Sequence, residues 1–364
     1  MTAPGTRRVR CAIVGCGELA GRYIAALRRA DVVNVISCHD VDRLRGEAFG
    51  AQHRLNHVAD LDDLVNGPHD MIVNLTPPIE HAVVTRRAIQ AGKSVYSEAP
   101  LALEVDEAAQ LLAEADAIGV LIGCGPDTFL GPAIQSVVRA VDAGDIGRPI
   151  AAAASLLTPG PEHWGHDPDR FYRPRTGPLI ELGPECVTTL VAVLGPIARV
   201  VGACTAHAGE RIHQPRSTGT RVFHADVATH IRAVLKAADG QPASVAVSFD
   251  THGAWSPYLE VHGADGSIVV SDLQAGIDAV HIKQLGRGDW RTLKVAYPTP
   301  VVPGAGVIDL AFSLLGHGPH RTSGVMGLHV LEALRAIEVA DVSECSVAIE
   351  SRCPRPAPDS LWAS

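Results

Sequence analysis

The stretch from Val9 to Asp40 constrains the fold of this chain more than any other. It begins VRCAIVGCGELAGRYIAAL and closes NVISCHD. A continuous apolar run stops at a glycine turn, and Leu19, Tyr23, Leu27 and Ala30 then recur at helical spacing. A second apolar run, Val32, Val33, Val35 and Ile36, ends on an acid, Asp40. Consecutive apolar positions suit strands buried on both faces, so the pattern predicts strand, helix and parallel strand within a covered sheet.

The small residues at the turn each answer a mechanical need. Gly15 permits a tight turn off the strand, Gly17 lets backbone approach a pyrophosphate, and Ala20 allows the helix to lie close to the sheet. Glu18 and Leu19 open the helix, whose first N–H groups have no partner within the helix and suit an anion. From Gly17 to Asp40 is 40 − 17 = 23 positions, near the ~20 that places a carboxylate on the ribose hydroxyls of a dinucleotide. A carboxylate there favours NAD over NADP, although nearby Arg43 could admit a 2′-phosphate. The plain alternative for Asp40 is a solvated strand end.

With 364 residues, the chain has length for two domains with substantial cores. Its net charge of −9 argues against nucleic acid or an anionic membrane as the main partner. No apolar run reaches the ~18 residues of a membrane span, and Met1 to Thr6 lacks the hydrophobic segment of a signal peptide, so the cytoplasm is the expected location. The 8 cysteines include no CxxC pair and read as reduced thiols. His163, His166 and Asp167 look like metal ligands at first sight. Gly165, Pro161 and Pro168 oppose the helix their spacing would need, and no metal is expected.

Downstream, Met71–Leu75 reads as a buried strand running into Thr76-Pro77-Pro78, and two prolines there must take the chain out of the sheet. A helix from Ile79 to Ala91 contains His81. The strand Lys93–Ser97 then delivers Glu98-Ala99-Pro100 to the same edge, where doubly wound sheets bind ligands. After an amphipathic helix from Val105 to Ile118 and a last strand, Val120–Cys124, the pattern changes at Gly125-Pro126. Strands joined by long connections follow, among them Pro149–Leu157, Thr229–Leu235, Ser244–Phe249 and Tyr258–Gly263. The reading is α/β: a doubly wound parallel Rossmann sheet in residues 1–124, then an α+β domain with an open, largely antiparallel sheet in 125–364.

Taken together, VGCGELAGRYIAAL, NLTPPIEHAVVTRRAIQAGKSVYSEAPLAL, GPDTFLGPAIQSVVRAVDAGDIGRP, TGPLIELGPECVTTLVAVLG and DLAFSLLGHGPHRTSG resemble the Gfo/Idh/MocA family, the glucose-fructose oxidoreductase and inositol dehydrogenase group. The resemblance covers nearly the whole chain. It implies a homo-oligomeric NAD(P)-dependent oxidoreductase acting on a secondary alcohol of a sugar, cyclitol or sugar-like molecule. It also implies that Thr76, Pro77, His81, Glu98 and Ala99 lie along the cofactor, and that Asp127 and Thr128 face the substrate; in the aromatic, basic loop from Glu162 to Arg175, Arg170, Arg173 or Arg175 could hold an anionic substrate.

The chain departs from that family where the proton chemistry belongs. Family members take acid/base function from the lysine of a Glu-Lys-Pro motif and from a histidine in a glycine-rich helix start. Here Ala99 stands at the lysine and Glu185 at the histidine, while Glu181 and Thr188 stand at the two aspartates. Two readings remain open. Glu185 acts as proton acceptor, its affinity raised by burial and by neighbouring Glu181, with Tyr172 as a further proton source. Alternatively the protein binds NAD without net redox turnover, as a transient-oxidation epimerase or lyase, or as a ligand-sensing regulator. Glu185 could also be a plain helix N-terminal charge.

Overall fold

The computed structural model describes residues 7–164, 168–207, 209–214, 219–272, 280–293 and 303–358. The chain divides into two compact units, Met1–Gly131 with Val301–Leu331, and Pro132–Pro300 with Glu332–Ser364.

In the first unit, strands β1 (Val9–Val14), β2 (Val33–His39), β3 (Asn56–His57), β4 (Met71–Asn74), β5 (Ser94–Ser97) and β6 (Ile122–Cys124) form one sheet in the order β3-β2-β1-β4-β5-β6. Every pairing is parallel. The helices between them are α1 (Glu18–Leu27), α2 (Arg43–His53), α3 (Leu61–Val65), α4 (His81–Gln90) and α5 (Val105–Ile118). All four residues of β4 and of β5 are buried, the polar Asn74, Ser94 and Ser97 included, as in a sheet covered on both faces. Asp42 caps α2 by accepting from the amides of Leu44 and Arg45, and Asp60 caps α3 in the same manner. The strand order reverses between β1 and β4, which puts the turn after β1 and the loop after β4 side by side at the edge where such sheets bind ligands.

The second unit contains α6 (Pro132–Asp142), β7 (Pro149–Leu157), α7 (Pro178–Glu181), α8 (Gly183–Leu194), β8 (Ile197–Ala206), β9 (Glu210–His213), β10 (Arg221–His224), β11 (His230–Ala237), β12 (Pro242–Ser248), β13 (Leu259–Gly263), β14 (Gly266–Val270), β15 (Val280–Gln284) and β16 (Arg291–Thr292). Two further helices, α9 (Ala305–Leu314) and α10 (Gly324–Ser343), precede β17 (Val347–Ala348). Nine of these strands make an open sheet in the order β16-β15-β14-β13-β7-β12-β11-β8-β17, while β9 and β10 pair separately. Only β7 and β12 run parallel in the large sheet, from Ala243 opposite Ala152 to Ser248 opposite Leu157. In β11, buried residues alternate with exposed ones, so one face of the sheet is covered and the other is open. Helix α8 packs against β7 and β12 and is buried at all but one position, Glu185. Each of its Val and Leu side chains stabilises the unit by roughly 1.5–3 kcal/mol relative to exposure.

The linear boundary expected at residue 124 needs one correction. Helix α9 belongs to the first unit, because Val307, Leu310 and Ala311 share a core with Ile13, Tyr23 and Tyr96. Gly306 presses on Tyr96 so closely that a Cβ would sit 2.5 Å from its ring. Nothing in the local pattern of residues 303–314 says which core they fill. Strand ends also shift from their expected limits, as in β11, expected over Thr229–Leu235 and found over His230–Ala237, and β3, β9, β10, β16 and β17 are too short or too polar to be read from sequence.

Candidate functional site

The glycine turn folds as its residue types require. Gly15 has φ +92°, and its amide donates to the His39 carbonyl at 2.9 Å. A Cβ here would lie 2.7 Å from the Leu75 carbonyl oxygen, so the turn closes against the loop that leaves β4. Gly17 differs: it is the N-cap of α1 with φ −73°, and an added Cβ would meet no atom within 4 Å. Open space at the helix N-terminus is what a diphosphate approaching backbone needs.

Asp40 is not a solvated strand end; it is 5% exposed. Its Oδ2 accepts from the Cys16 amide at 2.8 Å and Arg45 Nε at 2.9 Å, and its Oδ1 from the Asp42 amide and Arg45 Nη2, both at 2.8 Å. Burial opposes its charge, but Arg45 and the two amides outweigh it and hold the carboxyl below its ordinary range. A carboxylate has about four lone-pair positions, and four donors occupy them. Any further donor to this carboxylate would have to take the place of Arg45, whose side chain is half exposed. Arg43, the cation expected for a 2′-phosphate, instead meets Glu47 at 3.5 Å.

His81 ties the loop after β4 to the turn after β5. Its Nε2 lies 2.7 Å from the Thr76 carbonyl and its Nδ1 2.6 Å from the Pro100 carbonyl, with the ring 1% exposed. Burial pushes the imidazole below its ordinary range, yet the neutral ring has one N–H and can serve only one of these two acceptors. The Thr76 hydroxyl donates to Asn74 Oδ1 at 2.6 Å, which orients the stretch into Pro77. The Glu98 carboxylate accepts the Tyr23 hydroxyl and, at 3.2 Å, the Ala99 amide. Burial is the main influence on Glu98 and raises it.

Asp127 was expected to face substrate. It is buried, and its Oδ2 accepts from the Gly304 and Gly306 amides at 2.8 and 3.0 Å, so that it caps α9. Burial, then the charge of Glu98, pushes it up to about 6. Thr128 Oγ1 is buried with no hydrogen-bond partner among the described residues.

In the second unit, Glu181 ends α7 and Glu185 lies in the first turn of α8. Burial pushes Glu181 up to about 7 against the opposing charge of Arg170. The guanidinium of Arg170 lies 4.5 Å from the centre of the Phe171 ring. Thr188 is buried in α8. Tyr258 donates to the Glu185 carbonyl at 3.1 Å and lies 2.6 Å from Thr189 Oγ1, which fixes the backbone from which Glu185 projects.

The Tyr172 hydroxyl is held in a buried hydrogen-bond network. Its hydroxyl donates to Glu162, and Arg211 Nη2 donates to that hydroxyl at 2.8 Å and to Glu162 at 2.6 Å. Arg211 also pairs with Asp250. Burial and Glu162 push the phenol upward, and its ring packs on Phe223 and Phe249. The phenol thus anchors its loop. Arg45, Tyr23, Glu162, Arg211 and Asp250 were not anticipated. Only Arg45 had a local signal, its place one turn beyond the cap Asp42. Of the suspected metal ligands, His166 and Asp167 lie outside the described residues. Among the described residues, no group of three His, Cys, Asp or Glu side chains could hold a metal ion, and no helix is long and apolar enough to cross a membrane.

Glu181 makes a pH prediction. Its affinity is raised on folding, so the stability it contributes is full below its unfolded value near 4.5 and is lost as pH rises through about 7. Between pH 5 and 7.5 the native protein should lose roughly 1–2 kcal/mol more than Glu181→Gln does, read from urea midpoints. Equal losses would remove Glu181 as a buried titrating group; Asp127 titrates in both proteins and cancels.

Comparison with known proteins identifies the family and agrees with the fold. Residues 9–125 match the family model described as oxidoreductase family, NAD-binding Rossmann fold, and residues 134–269 match the GFO/IDH/MocA C-terminal domain. A 1,5-anhydro-D-fructose reductase of Ensifer adhaerens is 25% identical over 356 residues, 94% of this chain and 99% of its own. An inositol 2-dehydrogenase of Ralstonia nicotianae is 25% identical over 273 residues, 72% of this chain and 74% of its own. In fold, the chain is similar to a levoglucosan dehydrogenase solved with NADH, with a TM-score of 0.83 at 17% identity, covering 95% of this chain and 100% of that one.

Proposed function

The chain belongs to the Gfo/Idh/MocA oxidoreductase family, and from that premise we propose that it moves hydride between NAD and a secondary alcohol carbon of a sugar, cyclitol or sugar-like molecule. The observation that carries this reading is the intact cradle: Gly15 strained into its turn, open space at Gly17, and Asp40 held against the Cys16 amide. The reductase and dehydrogenase names of the relatives that cover most of the chain support the substrate class.

NAD, when bound, supplies the acceptor or donor of hydride. The chain's own residues do the rest. Gly15, Gly17, Glu18 and Leu19 present backbone to the diphosphate, and Asp40 takes the ribose hydroxyls. Thr76, Pro77, His81, Glu98 and Ala99 line the nicotinamide half. Glu185 accepts the hydroxyl proton, and Glu181, exchanging its own proton near neutrality, is suited to pass it on. Arg170 is the cation for a polar or anionic substituent of the substrate.

Ala99 favours keeping a second reading in the same experiment, because its side chain carries no proton. The purified protein is mixed with NAD and a panel of polyols while NADH absorbance is followed. Steady NADH formation is the expected result. Product without net NADH would replace it with transient oxidation, and ligand binding with neither would replace it with a regulator.

Asp40→Ala should weaken NAD by about tenfold or more, the loss of hydrogen bonds to a charged group. NADP should lose much less, because Arg45 is released toward a 2′-phosphate. Fluorescence titration with both nucleotides measures this. Equal losses would mean that Asp40 does not read the ribose.

A further inference from the structure

Tyr23 is fully buried in the apolar core of the first unit, its ring 6.3 Å from that of Tyr96. A phenylalanine would fill the same volume, so the hydroxyl calls for a separate explanation. Its partner is Glu98, the residue that follows β5. The second carboxylate oxygen accepts the Ala99 amide at 3.2 Å, and Gly125 closes the remaining side, where a Cβ would lie 2.8 Å from Glu98 Oε2. The carboxylate therefore has one oxygen tied to α1 and the other to its own turn.

We propose that Tyr23 is a positioning residue for the nicotinamide half of the cofactor: from the helix that receives the diphosphate, its hydroxyl fixes the Glu98 carboxylate beside the Ala99–Pro100 turn. This rests on the reading that the cradle holds NAD with Glu98 and Ala99 on the nicotinamide side. The two stretches that meet opposite parts of the dinucleotide are then joined by one buried hydrogen bond.

The groups facing Glu98 decide its charge. Burial favours the neutral acid; the Tyr23 hydroxyl, the Ala99 amide and Arg22 on α1 favour the anion. Tyr96 on β5, Cys124 on β6 and Asp127 after β6 also interact with it and would be disfavoured as anions beside it. Removing the phenol takes away a donor to the charged form, so Glu98 ionises at higher pH. An anion at this position favours the cationic oxidised ring over the neutral reduced one, and Tyr23 thereby biases the protein toward NAD+.

The test is equilibrium titration of NAD+ and NADH into the full-length protein between pH 5.5 and 8.5. Tyr23→Phe should weaken NAD+ roughly tenfold at the acid end and NADH less than about threefold, with the pH midpoint of NAD+ affinity moved upward. In a Glu98→Ala background the same substitution should change NAD+ affinity less than about twofold, because Tyr23 acts through Glu98. Equal losses for the two nucleotides, an unmoved midpoint, or additive losses would overturn the proposal. Should Tyr23→Phe fold poorly, Glu98→Gln retains an acceptor for the phenol and should show the NAD+-selective loss with no dependence on pH. Wild-type affinity for NAD+ in Glu98→Gln overturns the proposal equally. A native protein that binds neither nucleotide would instead sink the functional reading itself.

Discussion

Glu185→Gln is expected to lower kcat at least about 100-fold, the usual contribution of a positioned general base, while NAD affinity stays within about twofold. The substitution keeps the shape of the side chain and removes its capacity to accept a proton. Glu185 lies in the first turn of α8. Its backbone is held by Tyr258, itself hydrogen-bonded with Thr189, so the side chain projects from a fixed point. It is also the one position of α8 left partly exposed among eleven buried neighbours. A helix-stabilising charge alone would give a different result: a small loss of stability, under about 1 kcal/mol, and unchanged turnover. Steady-state kinetics with NAD saturating, beside a thermal melt, separates the two. A kcat within about threefold of the native value would remove Glu185 from the mechanism.

How much of this could be read from the chain depended on sequence distance. Gly15, Gly17 and Asp40 act within one strand-helix-strand unit, so spacing alone placed them on a common edge. The open, mostly antiparallel second sheet was legible from the change in apolar period after Gly125. The capping contacts of Asp127 could not be read locally because its partners, the Gly304 and Gly306 amides, arrive from the far end of the chain with α9. The surroundings of Tyr172 were hidden for the same reason: Arg211, which donates to its hydroxyl, and Asp250, which pairs with Arg211, lie 39 and 78 positions further on. Arg43 and Arg45 are a subtler case. They are two residues apart on one helix, and only the geometry below the cap Asp42 decides that Arg45 reaches Asp40 while Arg43 points to Glu47. Residue type and spacing propose a contact; the direction of the side chain settles it.

The two glycines of the turn should separate folding from cofactor binding. Gly15→Ala places a Cβ 2.7 Å from the Leu75 carbonyl oxygen and 2.9 Å from the Thr76 amide nitrogen, both backbone atoms that cannot swing aside. It also demands φ +92° of a residue that disfavours it. Strain of this kind costs roughly 2–3 kcal/mol, and relief must come from moving β1 away from the loop after β4. The variant should therefore melt several degrees lower and lose NAD affinity by about 100-fold or more, since the displaced backbone is the one proposed to cradle the diphosphate. Gly17→Ala meets none of these obstacles: φ −73° suits alanine and no atom lies within 4 Å of the new methyl. Its stability should stay within about 0.5 kcal/mol of native or rise slightly, because alanine restricts the unfolded chain. NAD affinity should nevertheless fall on the order of tenfold, because the methyl enters the space reserved for close approach of the ligand. Thermal melts with and without NAD measure both quantities on the same samples. A Gly17→Ala protein stabilised by NAD as strongly as the native one would show that the open space at the head of α1 is not where the diphosphate lies.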